Sequence, residues 1–443
     1  MRSRPERAAT ERTPFERWIA VGLAIGGLIA MAAILLDNRH PPLFADYVEW
    51  VYHGVLLRDW LQGHPNSLYV LKNYPVPNSL TTLGLGTLML AMPWQAAAKI
   101  WLLIEVSLGL WCADRLRRSC GDGQSWQVVV VAASALLGIN LWYGFTNFQF
   151  GTYFAMLFCS LLLQKTQSRW AYGALLVLLF FSHMIPFGFA LCLLVLYAMQ
   201  SGRWHLLWQA LPAMLLCLWY FAGRFSHSDV DGTSGMQASV PYGSLLFFGF
   251  RINTYLKCWG FVNTVSNFQD SILLRLTGTT TFVLLFALNL LIGIAFLILI
   301  ARTARKAIAQ RSGQSFFWLA VSLFFIVGLI MPGAAAGISD PGGRMLQVAV
   351  WCAACVTVSQ SQWTGRLLAS CSVALMAFSI YQIHVVAERP PMIGSVDGPL
   401  PARMRQFGHV AYLDHSTDYD SIDQKQMNVD IYPTAMFLEK PKP

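Results

Sequence analysis

Between two apolar blocks lies Asp37–Asn78, DNRHPPLFADYVEWVYHGVLLRDWLQGHPNSLYVLKNYPVPN. In an otherwise greasy chain this is the densest mixture of acids, histidines, bases and aromatic rings. Asp46, Glu49 and His53 stand at i, i+3 and i+7, which predicts a helix carrying all three on one face. Val48, Val51 and Val55 fall on the opposite face and suit a bilayer surface. An amphipathic helix of this kind holds carboxylates over a membrane, a place for chemistry on a lipid-carried substrate.

Outward from that stretch the chain is almost uncharged. Of its 443 residues 56% are hydrophobic and 12% charged, and its mean hydropathy is +0.49. A soluble domain of this size carries about twice as much charge. Apolar runs of membrane-spanning length recur from end to end, which predicts an all-α polytopic membrane protein. The net charge of +9 then reads as an orientation signal and not as a nucleic-acid footprint. The nine cysteines suggest no disulfide framework, because most lie inside apolar runs. Cys352 and Cys355 form a CxxC in mid-span without a second pair, which argues against a metal or redox centre.

The polar start, with Arg2, Arg4, Arg7 and Arg12, precedes an apolar run from Trp18 to Leu36, too long for a cleaved signal. Its positive flank predicts a cytoplasmic N-terminus and puts Asp37–Asn78 outside. Leu80–Met92 reads as a half-inserted helix ended by Pro93. Crossings are then expected at Trp94–Ala113, Trp126–Tyr143, Phe148–Gln164, Trp170–Phe181, Ile185–Met199, Trp204–Ala222, Thr279–Ile300, Phe316–Met331, Met345–Ser359 and Leu367–Ile383. About eleven spans result, within a transmembrane unit over 1–383. Its first external loop is 37–78, its second large one is 223–278, and 384–443 is an extracytoplasmic tail. In this topology sixteen Lys and Arg fall in short cytoplasmic segments and eight in the longer external loops, as the positive-inside rule requires.

Each candidate site residue also has a structural reading. Asp46 and Glu49 form a D-x-x-E capping box, and Asp46 also suits a general base that takes a proton from an acceptor hydroxyl. Asp37 is the competing base, at the end of the first span. His53 suits orienting a carboxylate or binding a phosphate oxygen, or stands as a surface histidine. Lys72 shares the loop, and Tyr74-Pro75-Val76-Pro77-Asn78 is a rigid turn that aims the following helix. His183 lies between two spans beside Pro186 and reads as lining of an external pocket. Arg344 follows Asp340-Pro341-Gly342-Gly343, where glycines let backbone N–H groups approach a ligand and the guanidinium can grip phosphate. A snorkelling interface arginine is the alternative. Arg224, Arg251, Lys257 and Arg275 make the large external loop basic. Glu105 and Lys99 are charges within a span, six residues apart and poorly placed to pair.

The order of these parts resembles the GT-C superfamily of membrane glycosyltransferases. Phe44-Ala45-Asp46-Tyr47 and the helix closing at Leu61-Gln62-Gly63 are similar to the first external loop of those enzymes, and Tyr74-Pro75 to the element that follows it. Asn147-Phe148-Gln149-Phe150-Gly151, then Lys165 to Trp170, then Ser182-His183-Met184-Ile185-Pro186, resemble the branch that uses polyprenol-phosphate-mannose. His183 stands where that branch often has lysine. The resemblance covers roughly 17–205, with an echo at Arg344. It implies Asp46 as the general base, His183 and Arg344 as phosphate contacts, and inversion at the sugar as the lipid phosphate leaves. Glu49, His53, Lys72 and Tyr74 complete the expected substrate-binding set.

The implied donor is a polyprenyl-phosphate sugar, and the acceptor a glycan, lipid or protein at the outer face of the inner membrane. Metal use differs within the superfamily, and no residues here form a metal cluster, so no cofactor is expected beyond the donor. A transporter or flippase is a second reading, supported by Glu105 and Lys99, although no internal repeat accompanies them. A polysaccharide polymerase or ligase is a third.

Overall fold

The structure, a computed structural model, describes residues 29, 31–32, 47–65, 69–119, 131, 135–142, 144–165, 169–226, 245–256, 258–259, 272–332, 334–335, 338–357, 367–377, 380 and 436–439. Asp37 and Asp46, most of the expected first span, half of the Trp126–Tyr143 span, Lys257, and the tail apart from 436–439 lie outside the described residues.

The described apolar runs fold as helices, the conformation that satisfies every backbone group within its own segment when lipid offers no partner. In chain order they are α1 (Tyr47–Leu61), α2 (Leu80–Leu88), α3 (Trp94–Ser119), α4 (Ile139–Trp142), α5 (Thr146–Leu163), α6 (Arg169–Ser182) and α7 (Met184–Ser201). A 3-10 turn, Trp204–Ala210, leads into α8 (Leu211–Ser226). Then come α9 (Leu245–Leu256), α10 (Ile272–Ala309), α11 (Ser315–Ile330), α12 (Pro341–Val356) and α13 (Leu367–Ala377). Strands are two or three residues long: β1 (Tyr69–Leu71), β2 (Ala334–Ala335), β3 (Ile338–Ser339) and β4 (Phe437–Glu439).

Among the described residues, five helical segments are long and apolar enough to cross a membrane: Trp94–Ser119, Thr146–Leu163, Met184–Ser201, Trp204–Arg224 and Phe286–Ala309. Others expected to cross are shorter. The sixteen residues of α11 or α12 reach about 24 Å, less than a typical hydrocarbon core. The fold is thus mostly helical and membrane-like, with five long apolar helices where the sequence reading expected about eleven spans.

The most extensive helix pairings are α3 with α5, α11 with α12, and α1 with α2. Small residues permit the closest approaches, as in membrane bundles generally. A Cβ on Gly54 of α1 would come within 2.8 Å of Leu85 on α2, and one on Gly86 of α2 within 2.8 Å of Leu57 on α1. This crossing corrects the expected surface helix. Val51 and Val55 are buried in protein, and so are Tyr47, Trp50, His53, Leu56 and Leu57, so α1 packs on more than one side. Val51 and Val55 meet protein and not lipid.

The bundle has two unlike ends. At one, the N-termini of α2, α5 and α7 meet. The Ser79 amide donates to the Phe181 carbonyl (2.8 Å), the Thr81 amide to Asn147 Oδ1 (2.7 Å), and Asn147 Nδ2 to the Asn78 carbonyl (2.8 Å). At the other, Gln200 ties α7 to the start of α11 through the Phe316 amide (3.0 Å) and the Ser312 carbonyl (3.0 Å). There α3 ends in Arg115, Arg117 and Arg118, with Asp114 bridging the last two. Exposed Trp170, Trp204 and Trp208 ring the same end, like an interfacial aromatic belt. Exposed Leu215, Leu218 and Trp219 on α8, and Leu284, Leu291 and Ile294 on α10, make apolar outer faces.

The tail meets the first loop. β4 pairs antiparallel with β1, Tyr69 opposite Glu439 and Leu71 opposite Phe437, and the Lys72 amide donates to the Met436 carbonyl (2.9 Å). Phe437 closes a small core with Leu56, Leu57 and Tyr69.

Candidate functional site

His183 and Arg344, 161 residues apart, meet where α7 and α12 begin. His183 breaks the helical path between α6 and α7 with an extended backbone (φ −167°, ψ 137°) and caps α7, its Nδ1 accepting the Ile185 amide at 3.2 Å. A neutral imidazole has one acceptor nitrogen. With Nδ1 so used, the proton sits on Nε2, which lies 3.2 Å from Arg344 Nη1. Burial, reinforced by the Arg344 charge, holds the His183 pKa well below the ordinary histidine value, so the ring is neutral at physiological pH.

In this tautomer an N–H stands beside the guanidinium, and an oxyanion entering between them would accept from both. Helix starts strengthen the site: His183 caps α7, and Arg344 is in the first turn of α12, where oriented amides favour negative charge. Aromatic rings hold both groups. Phe148 meets the His183 ring edge-on at 5.3 Å, and the Arg344 guanidinium lies 4.4 Å from the Phe145 ring centre and 5.4 Å from that of Phe148.

The start of α12 is fixed by a buried ion pair. Arg251, from α9, is fully buried; it bonds Asp340 Oδ1 and the carbonyls of Met331 (2.6 Å) and Pro332 (3.1 Å). Asp340, left-handed at φ 44°, caps α12 by accepting the Gly343 amide at 3.1 Å. Two expectations change here. The helix begins at Pro341, so Gly342 and Gly343 are helical; the Gly343 amide is taken by Asp340, and Gly342 packs against Gly328 and Arg251. Their smallness serves packing. Arg251, read as one of the cations that make the large external loop basic, is instead an internal anchor.

The first-loop residues form a second group under the tail strand. His53 is buried between Trp50 (5.7 Å between ring centres) and Phe437 (6.3 Å), and its Nδ1 has no hydrogen-bond partner among the described residues. Burial, and then the Lys72 charge, push its pKa down to about 4. Lys72 is buried with its Nζ 5.7 Å from the centre of the Tyr74 ring, and Tyr74 packs on Tyr220 at 6.2 Å. Glu49 is in α1, and its side chain lies outside the described residues, as does Asp46 altogether.

The residue after Asp46 is described. Tyr47 donates its hydroxyl to the Ala98 carbonyl (2.6 Å), and its backbone abuts Gly144, whose φ of +68° and lack of a Cβ permit the contact. Gly144 adjoins Phe145, the ring under Arg344. Chain position 47 is thereby linked through two residues to the His183–Arg344 pair. Sequence reading gave Phe145, Phe148 and Asp340 no role as partners of that pair. Only the Asn147-Phe148-Gln149 segment stood out, as part of a resemblance.

Among the described residues no three His, Cys, Asp or Glu side chains converge as metal ligands. Comparison with protein-family models, curated proteins and solved structures finds no match to this chain.

Proposed function

We propose that the chain is an integral membrane glycosyltransferase of the GT-C kind, moving a sugar from a polyprenyl-phosphate donor to an acceptor at the extracytoplasmic face of the inner membrane. One observation carries this reading: the neutral His183 and the cationic Arg344 lie 3.2 Å apart at a junction of helix starts. That arrangement suits a phosphate. The basic end of the bundle, opposite this junction, fits a cytoplasmic side. The pairing of β1 with β4 supports a tail on the same side as the first loop.

In the proposed reaction Asp46 accepts the proton of an acceptor hydroxyl as its oxygen attacks the anomeric carbon. The bond from that carbon to the phosphate oxygen breaks, and the lipid phosphate leaves with the electron pair, giving inversion. His183 and Arg344 stabilise the charge that grows on the leaving oxygen. Glu49, His53, Lys72 and Tyr74 belong to the substrate-binding set.

Purified protein with radiolabelled polyprenyl-phosphate sugar tests this. Transfer that falls by about 100-fold or more in Asp46→Asn supports it; full activity in a folded Asp46→Asn variant removes Asp46 as the base. The buried carboxyl of Glu105 favours a second reading, a transporter or flippase. Movement of the labelled lipid across vesicles without sugar transfer would establish that reading instead.

A further inference from the structure

A stripe of polar atoms is buried at the seam of α3 and α5. Trp101 and Glu105 lie one turn apart on α3, and Gln149 and Tyr153 one turn apart on α5. The two helices run parallel: Trp101 packs on Phe150 at 4.9 Å, the Tyr153 ring covers Gly109, and Ser160 reaches the Arg115 carbonyl at 3.2 Å. Glu105 is fully buried, and neither carboxyl oxygen has a hydrogen-bond partner among the described residues. Trp101 Nε1, Gln149 Oε1 and the Tyr153 hydroxyl are unmet in the same sense. The Gln149 amide nitrogen is committed to the Leu136 carbonyl (2.7 Å), so only its oxygen remains.

Four polar side chains with unmet bonds on two facing helix stripes call for a shared occupant, because each one left unmet costs free energy. The nature of the neighbours selects it. Titratable groups bearing on Glu105 are the phenols of Tyr47 from α1 and Tyr153 from α5; Cys112 stands by Tyr153 and faces Cys355 of α12. The α2 sequence LTTLGLGTL brings none, and Lys99, six residues back on α3, is off the Glu105 face. An ionised carboxylate there would be desolvated with no cation beside it among the described residues, at a cost of several kcal/mol. A metal ion would meet the N–H of Trp101, which has no lone pair to offer it, whereas the Tyr153 hydroxyl can donate or accept. A neutral acid, with enclosed water, meets all four groups.

We propose that Glu105 is a proton-binding site inside the bundle, a carboxylic acid linked to Tyr153, Gln149 and Trp101 through enclosed water. It stands independently of the transferase reading.

Purified full-length protein treated with dicyclohexylcarbodiimide provides the test. This apolar reagent takes the proton of a carboxylic acid on nitrogen while a carboxyl oxygen bonds its central carbon, and the adduct rearranges to a stable N-acylurea. Peptide mapping is expected to find the adduct on Glu105, forming at least tenfold more slowly as pH is raised through the titration of the acid. Sodium and potassium salts should leave the rate unchanged. Glu105→Gln should lose the adduct, and Tyr153→Phe should keep it with a displaced pH midpoint. Absence of a Glu105 adduct in the wild-type protein overturns the proposal, as does labelling indifferent to pH. Protection by either salt also overturns it and assigns a metal-cation site in its place.

Discussion

Nε2 of His183 lies 3.2 Å from Nη1 of Arg344, and the Ile185 amide on Nδ1 leaves the imidazole N–H beside the guanidinium. Arg344→Lys keeps the charge but loses the planar fork and its stacking on Phe145. A hydrogen bond to a charged partner contributes about 1.5–3 kcal/mol, so the KM for a phosphate-bearing donor should rise roughly 10- to 100-fold. Arg344→Ala should do at least as much. Steady-state kinetics across both variants check this, and an unmoved KM would separate the pair from donor binding.

His53 gives the fold an acid-sensitive point. Its pKa is about 4 in the folded chain against 6.5 for an ordinary histidine, so the unfolded state binds more protons between those values. The resulting stability is complete above about pH 6.5 and is lost as pH falls toward 4. For a side chain this buried it amounts to about 3 kcal/mol. In His53→Leu the midpoint of thermal unfolding should lose much of its pH dependence over that window. A wild-type midpoint that is flat from pH 7 to 4 would contradict the assignment.

The tail strand is part of what keeps His53 dry. Removing residues 436–443 takes away Phe437, which packs against His53, and the pairing of β4 with β1. Modification of His53 by diethylpyrocarbonate, negligible in the intact chain, should become readily measurable in the truncated one. Equal reactivity in both would place the shielding elsewhere.

Arg251 and Asp340 set the start of α12, and so the position of Arg344. Asp340→Asn retains a capping side chain but leaves a fully buried guanidinium without its counter-charge. Asp340 is about one-third exposed, so the loss should fall at the lower end of about 3–5 kcal/mol. Arg251→Met in the same chain should recover part of it. Denaturation of the single and double variants measures the coupling.

Much of the architecture is legible in local sequence, with characteristic errors at the ends of elements. The Thr279–Ile300 span is the lipid-suited part of a longer helix, Ile272–Ala309, because hydropathy stops at Arg302 whereas helical hydrogen bonding does not. The start of α12 was written in Asp340-Pro341, a cap followed by a proline at the first helical position, yet its glycines read as a loop. At the site, His183 and Arg344 stand out as polar residues at the ends of apolar runs. Their meeting does not.

Local sequence determined that this is a helix-rich, membrane-like chain whose apolar residues come in long, nearly uncharged runs. Transfer out of water is a property each residue carries by itself, and it sums along the chain in any order. Which apolar surface meets lipid and which meets protein was decided only by the tertiary structure. Lipid tails and protein interiors are equally apolar, so Val51 and Val55 read the same in either setting. The close contact of residues 183 and 344, and the approach of Tyr47 to the neighbour of Phe145, likewise rest on which helices pack together. That choice depends on shape and on small residues such as Gly144, and no local pattern states it.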